Sequence, residues 1–281
     1  MASSERTGHP AYGELRPVTP LASVLLESNP SPMTLEGTNT WVLRAPGEEA
    51  CVVVDPGDDD PAHLERVAGH GPVTLVLLTH RHHDHAAGAR YFAQLTGAPV
   101  RALDPSLVLG SEALGEGDVV AAAGCELRVL ATPGHTSDSL SFLLNGPDTD
   151  PAVLTGDTVL GRGTTVIAHP DGALGPYLAS LRRLAELPDG TAVLPGHGPE
   201  LPDAPAAARH YLAHREQRLD QVRSALRALG SDATPRQVVE QVYADVDETL
   251  WGAAEASVRA QLAYLRVDGP IRTVRKRRWQ G

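Results

Sequence analysis

Thr79-His80-Arg81-His82-His83-Asp84-His85-Ala86 crowds imidazoles and a carboxylate into six consecutive positions directly after the apolar run 73–78. Such density has little structural use, because adjacent imidazoles repel one another when protonated and pack poorly. Neutral imidazole and carboxylate are ordinary metal ligands. A compact loop of this kind can divide its donors, His80 and His82 reaching one metal while Asp84 and His85 turn toward another.

The same arrangement recurs along the chain. Apolar runs at 51–54, 127–131, 152–154 and 192–194 lead at once into Asp55-Pro56-Gly57-Asp58, Thr132-Pro133-Gly134-His135, Thr155-Gly156-Asp157 and Pro195-Gly196-His197. Short Val-, Leu- and Ala-rich runs bounded by Gly and Pro predict strands, and loops at strand ends are where an α/β scaffold presents chemistry. Helices are predicted between them at 61–68, 87–95 and 176–187. His135, Asp157 and His197 thus join His80, His82, Asp84 and His85 as seven candidate ligands, a set that suits two metal sites sharing a bridge. Asp55 is either an acceptor that orients a ligand imidazole or a turn cap.

Beyond His197, prolines at 199, 202 and 205 read as a linker, which places a domain boundary between 1–205 and 206–281. Leu212, Leu219, Val222, Leu226 and Leu229 then lie at helical spacing ahead of Gly230. Two further helices are predicted at 236–243 and 253–265, and a short strand at 271–274, an order that resembles a small winged-helix module.

Composition bounds the partners. The formal net charge of -11 argues against a duplex-DNA coat, yet Arg272, Arg275, Lys276, Arg277 and Arg278 gather at one end with no acid among them. That run is either a solvated terminus or a nucleic-acid contact. No apolar stretch approaches the roughly 20 residues that span a bilayer, and the first twenty residues lack a secretory apolar core, so no membrane partner and a cytoplasmic location are expected. Cys51 and Cys125 suggest neither a disulfide framework nor a thiolate cage.

The pattern His80-X-His82-X-Asp84-His85, then His135, Asp157 and His197, resembles the metallo-beta-lactamase superfamily over about the first 200 residues. The resemblance implies an αββα sandwich with two divalent metal ions at one edge. It puts His80, His82 and His135 at the first metal, Asp84, His85 and His197 at the second, and Asp157 between them. Zinc is the first expectation, with iron or manganese as alternatives, since N/O donors do not choose sharply. The antibiotic-hydrolysing branch uses a Cys at the second metal, so this set looks instead like that of glyoxalase II, ribonuclease Z and the flavo-diiron proteins.

Asn29-Pro30, Met33-Thr34-Leu35-Glu36-Gly37-Thr38-Asn39-Thr40, Gly163-Thr164-Thr165, Pro195-Gly196-His197-Gly198-Pro199 and His214-Arg215 are similar to the beta-lactamase-like endoribonuclease branch, which carries a winged-helix-like tail. Members of this branch include single-stranded RNA endonucleases, while related fungal enzymes release acyl chains from carrier proteins as thioesterases. Trp41, where a Tyr is common, and the segment 167–172 depart from the branch, so a different substrate rim is expected. Thr38, Asn39 and Thr40 would line the pocket, and His214 and Arg218, four apart on a helix, could grip a phosphate or carboxylate.

The function expected from these readings is metal-dependent hydrolysis by a hydroxide bridging two cations, with Asp84 and Asp157 the catalytic carboxylates. The first substrate class is single-stranded RNA. The alternatives are a thioester or ester on an acyl-carrier or coenzyme A conjugate, and a regulator that binds nucleic acid with structural metals. A homodimer is the self-association expected, and an aromatic content of 4% offers few stacking platforms for RNA.

Overall fold

Val52 and Val54 face one side of their strand and Cys51 and Val53 the other, and all four are fully buried. A strand apolar on both faces needs cover on both, which a layered α/β arrangement provides. The computed structural model describes residues 11–146, 149–244 and 246–268.

The first sheet runs β1 (Leu15–Pro17), β2 (Ala22–Leu26), β3 (Asn39–Leu43), β4 (Cys51–Val54), β5 (Val73–Leu77) and β6 (Val100–Arg101) in spatial order. It is antiparallel as far as β4, then parallel through β5 and β6. The second holds β7 (Val119–Ala122), β8 (Cys125–Ala131), β9 (Leu140–Asn145), β10 (Ala152–Gly156) and β11 (Ala192–Pro195). Here β10 and β11 are the parallel pair. Parallel neighbours require a crossover. Helix α1 (Pro61–Ala68) joins β4 to β5, and α4 (Leu174–Leu184) lies between β10 and β11.

Between the sheets pack Trp41, Leu43, Val52, Val54 and Leu77 from one side and Leu127, Val129, Phe142 and Leu154 from the other. The outer face of the first sheet is covered by α1 and α3 (Ala89–Thr96) through Leu64, Val67 and Phe92. Val153 and Val193 on the outer face of the second meet Tyr177 and Leu181 of α4 and then three further helices. This is the helix, sheet, sheet, helix order expected. Among the described residues no helix is long and apolar enough to cross a membrane.

The three further helices are α5 (Ala204–Leu229), α6 (Pro235–Val242) and α7 (Trp251–Asp268). Asp203 caps α5 by accepting from the Ala206 amide, and Thr234 with Gln237 forms a capping box on α6. The buried stripe of α5 differs from the sequence expectation. It runs Ala208, Tyr211, Arg215, Leu219, Val222, whereas Leu212 is only partly buried and Leu229 is 46% exposed. A cation occupying a core position disguises the periodicity. The strand expected at 271–274 and the basic run at 271–281 lie outside the described residues.

Candidate metal centre

The seven candidate ligands lie just past the ends of β5, β8, β10 and β11, and the chain brings them into two adjoining groups. Donor atoms of His80, His82, His135 and Asp157 all lie within 4.8 Å of one another, as do those of Asp84, His85 and His197. A one-turn helix, α2 (His83–Ala86), carries Asp84 and His85, and the His85 ring lies 4.3 Å from that of His80, so the two groups adjoin directly. Asp157 stands between the groups. Its Oδ1 lies 3.5 Å from His85 Nε2 and 3.5 Å from His197 Nε2, while Oδ2 lies 3.6 Å from His135 Nε2.

The far side of each ring explains which nitrogen faces inward. His85 Nδ1 donates to Asp55 Oδ2 at 2.9 Å, His135 Nδ1 to the Val166 carbonyl at 2.7 Å, and His197 Nδ1 to the Gly37 carbonyl at 3.1 Å. Thr79 Oγ1 donates to Asp55 Oδ2 at 2.6 Å, so it accepts from His80 Nδ1 at 2.9 Å. Each acceptor fixes the proton on Nδ1 and leaves the Nε2 lone pair for the centre. His82 uses its other nitrogen: Nδ1 lies 3.0 Å from His80 Nε2 and 2.9 Å from His135 Nε2.

Lone pairs converging in this way repel unless a proton or a cation lies among them. Burial pushes His80, His82 and His135 below the ordinary imidazole range, so these three rings are neutral at pH 7. In the second group burial also opposes protonation, but Asp157 outweighs it. The His85 imidazole is held well above its ordinary value and His197 rises to about 9. Against its own desolvation, Asp157 is held well below the carboxylate range by His197 and His85. Asp84, likewise desolvated, is drawn to about 2 by its hydrogen bond from His197 and the charge of His85. Asp157 Oδ1 is buried and has no hydrogen-bond partner among the described residues. A donor set of five imidazoles and two carboxylates, with an orphaned carboxylate oxygen at its middle, fits two divalent cations.

Around the donors, several sequence expectations resolve. Asp55 is an orienting acceptor as well as part of a turn: it takes the Thr79 amide at 2.8 Å and serves His85 directly and His80 through Thr79. Its φ of 52° is a left-handed conformation held by those bonds. His83 points away from the centre, its side chain 81% exposed and paired with Asp58 at 2.8 Å.

Thr38, Asn39 and Thr40 are buried, and Asn39 also lines a cavity with Glu36, Arg162 and Pro199. Asn39 Nδ2 donates to the carbonyls of Pro195 and Gly198 on either side of His197, and Thr40 bonds His63. Trp41 Nε1 also donates to the Pro195 carbonyl, at 3.1 Å. Arg218 does not reach the centre. It stacks on Tyr243 and donates to Gln221 and the Val242 carbonyl within the helical part. At the mouth, Arg81 is held by Asp138 at 3.0 Å and lies 3.5 Å from Asp171, which takes a hydrogen bond from Ser137. Thr79 and Thr165 both stand in segments singled out from the sequence, but their contacts with the His80 and His135 rings were not expected from it.

These donors and strand ends have counterparts in known proteins. The sequence profile of the Metallo-beta-lactamase superfamily matches residues 33–197, and that of the Beta-lactamase associated winged helix domain matches residues 234–279. The chain is 32% identical to the lactamase-like protein adaB of Aspergillus niger over 80% of its own length and 69% of that protein's. It is 29% identical to the beta-lactamase-like protein 2 homolog of Drosophila melanogaster over 88% of both chains. The crystal structure of a beta-lactamase domain protein from Burkholderia ambifaria superposes with a TM-score of 0.74 at 23% identity, covering 94% of this chain and 91% of that one. Because the first profile spans more than half of the sequence and contains every strand end that carries a donor, this protein belongs to the metallo-beta-lactamase superfamily of metal-dependent hydrolases.

Proposed function

We propose that this hydrolase cleaves phosphodiester bonds in single-stranded RNA, using two divalent cations held by His80, His82 and His135 on one side, Asp84, His85 and His197 on the other, and Asp157 between. The observation that carries the reading is the division of the donors into two groups joined by the two oxygens of Asp157. Paired sites of this kind suit an in-line displacement at phosphorus, where the attacking and leaving oxygens both need stabilisation. Divalent cations, when bound, supply Lewis acidity and a water that ionises near neutral pH.

The protein's own residues then have distinct tasks. Asp84 keeps a quarter of its side chain exposed and is ionised throughout the working pH range, so it can accept a hydrogen bond from, and orient, an attacking water. Asp157 is buried and ionised and supplies the negative charge that holds both groups together. Asp55, Gly37, Thr79 and Val166 keep the imidazole lone pairs aimed inward. The resemblance of residues 29–40, 163–165 and 195–199 to the endoribonuclease branch, and the basic residues at 272–278, support RNA as the substrate class.

A second reading, hydrolysis of an acyl thioester, is favoured by Arg81. This basic side chain beside the donors is already paired with Asp138 and close to Asp171, which leaves it less free for a polyanion. The deciding experiment compares turnover of a labelled single-stranded RNA with that of an acyl thioester, in one metal, for wild type and Asp157→Ala. RNA cleavage that vanishes in the variant supports the proposal. Thioester cleavage with RNA untouched overturns the substrate assignment, and full activity in Asp157→Ala overturns the two-cation centre.

A further inference from the structure

Arg215 is buried, 4% exposed, in the core stripe of α5, where an apolar residue would ordinarily stand. Among the described residues its guanidinium meets no carboxylate. One nitrogen, Nη2, donates to the Thr165 carbonyl, the group lies 5.1 Å from the centre of the Tyr177 ring, and Nε is buried without a hydrogen-bond partner among the described residues. Burying a charge against a neutral carbonyl and a ring is costly, so a cation kept there points to a task.

The task is visible in what Thr165 does next. Its Oγ1 lies 2.9 Å from His135 Nδ1, and the adjoining Val166 carbonyl accepts from the same nitrogen at 2.7 Å. The whole stretch from Asp157 to Val166 is held from the helical side. Tyr177 Oη donates to the Thr158 carbonyl at 2.8 Å, and Tyr211, one turn before Arg215 on α5, takes the Leu160 amide at 2.9 Å. One end of this segment is a candidate ligand and the other orients a second, and three side chains of α4 and α5 fix its course.

We propose that Arg215 is a positioning residue: through the Thr165 carbonyl it sets the segment that fixes the His135 ring, and so makes α5 part of the metal centre. The inference rests on the metal reading above only for its consequence. The placement of His135 is a property of the metal-free protein as well.

The test uses the full chain with ¹⁵N-labelled histidine and three variants, Arg215→Met, Arg215→Lys and Thr165→Val. In metal-free wild type, His135 should show a slowly exchanging Nδ1–H resonance, the signature of its bond to Val166. Arg215→Met should lose that protection while remaining folded by circular dichroism. Arg215→Lys should restore it in part, and Thr165→Val should weaken it without touching the backbone contact. Titration with Co²⁺ should then show affinity lower by about 10- to 100-fold in Arg215→Met, the range typical of losing a partner that orients a ligand. A folded Arg215→Met with the wild-type His135 resonance would overturn the inference. Should Arg215→Met not fold, an unprotected His135 in wild type, or wild-type protection in both other variants, overturns it equally. Failure of wild type to take up Co²⁺ would instead count against the metal reading, and the resonance would still decide the role of Arg215.

Discussion

Four of the five inward-facing imidazoles are set by an acceptor behind them, and Asp55 serves two of those four. Asp55→Ala should therefore weaken both donor groups together, lowering Co²⁺ affinity by about 10- to 100-fold in a chelator competition. Weakening confined to one group would show that Thr79 alone suffices for His80. Glu27 tests a different property of single residues. Burial, with Asp58, Asp60 and Asp84 nearby, raises its carboxyl to about 8 although the Asp58 amide donates to it.

A carboxyl whose pKa is higher folded than unfolded favours the fold at low pH and loses that contribution as pH rises, here between its ordinary 4.5 and about 8. Glu27→Gln should remove on the order of 3 kcal/mol of this pH dependence. Melting curves from pH 5 to 9 would show it as a flatter profile, and an unchanged slope would place the proton elsewhere. At this scale the sequence was most informative where chemistry is dense. The convergence of the seven candidate ligands was legible because no packing role explains such residues at successive strand ends. The orienting roles of Thr79 and Thr165 were not, although both residues stand in motifs singled out from the sequence, because a threonine that orients an imidazole looks like any other threonine until the chain has folded.

Elements were legible in proportion to how cleanly their pattern follows from burial. The strand β4 matches its expected bounds; β5, β10 and β11 differ by a residue or two where the chain turns into the donor loops, and β8 begins two residues earlier than expected. The expected helix at 87–95 misses α2, since a single turn is too short to show periodicity. The stripe of α5 was misassigned because Arg215 occupies one of its core positions. A glycine shows how tightly elements meet. A Cβ on Gly134, at φ +140°, would lie 2.3 Å from the Tyr177 Cα at the start of α4, a backbone atom that cannot swing aside. Gly134→Ala should cost about 3 kcal/mol or more, read as a lower denaturation midpoint. A midpoint within error of wild type would mean that α4 can retreat from the loop.

For the molecule as a whole, the layer order was legible only through the resemblance that the His/Asp motif carries, and the burial of strands such as β4 on both faces accounts for it in the fold, whereas the substrate was not legible. Arg81, beside the donors, pairs with Asp138, 57 residues further along the chain, a proximity that only the fold creates. Removing metal should lower the melting temperature, because a ligand bound only by the folded state stabilises it by about 4 kcal/mol at a thousandfold excess over its Kd. Scanning calorimetry with and without chelator reads this directly, and coincident melts would show that the donors stay empty in the folded protein. The origin of those donors adds a mechanical consequence. His80, His82, Asp84 and His85 follow a strand of the first sheet, while His135, Asp157 and His197 follow strands of the second, and each group draws on both. Neither sheet can complete a site alone, so a bound cation acts as a rivet through the sandwich. Sliding one sheet over the other would shear both groups at once, and amide exchange in β5 and β10 should slow together when the rivet is set.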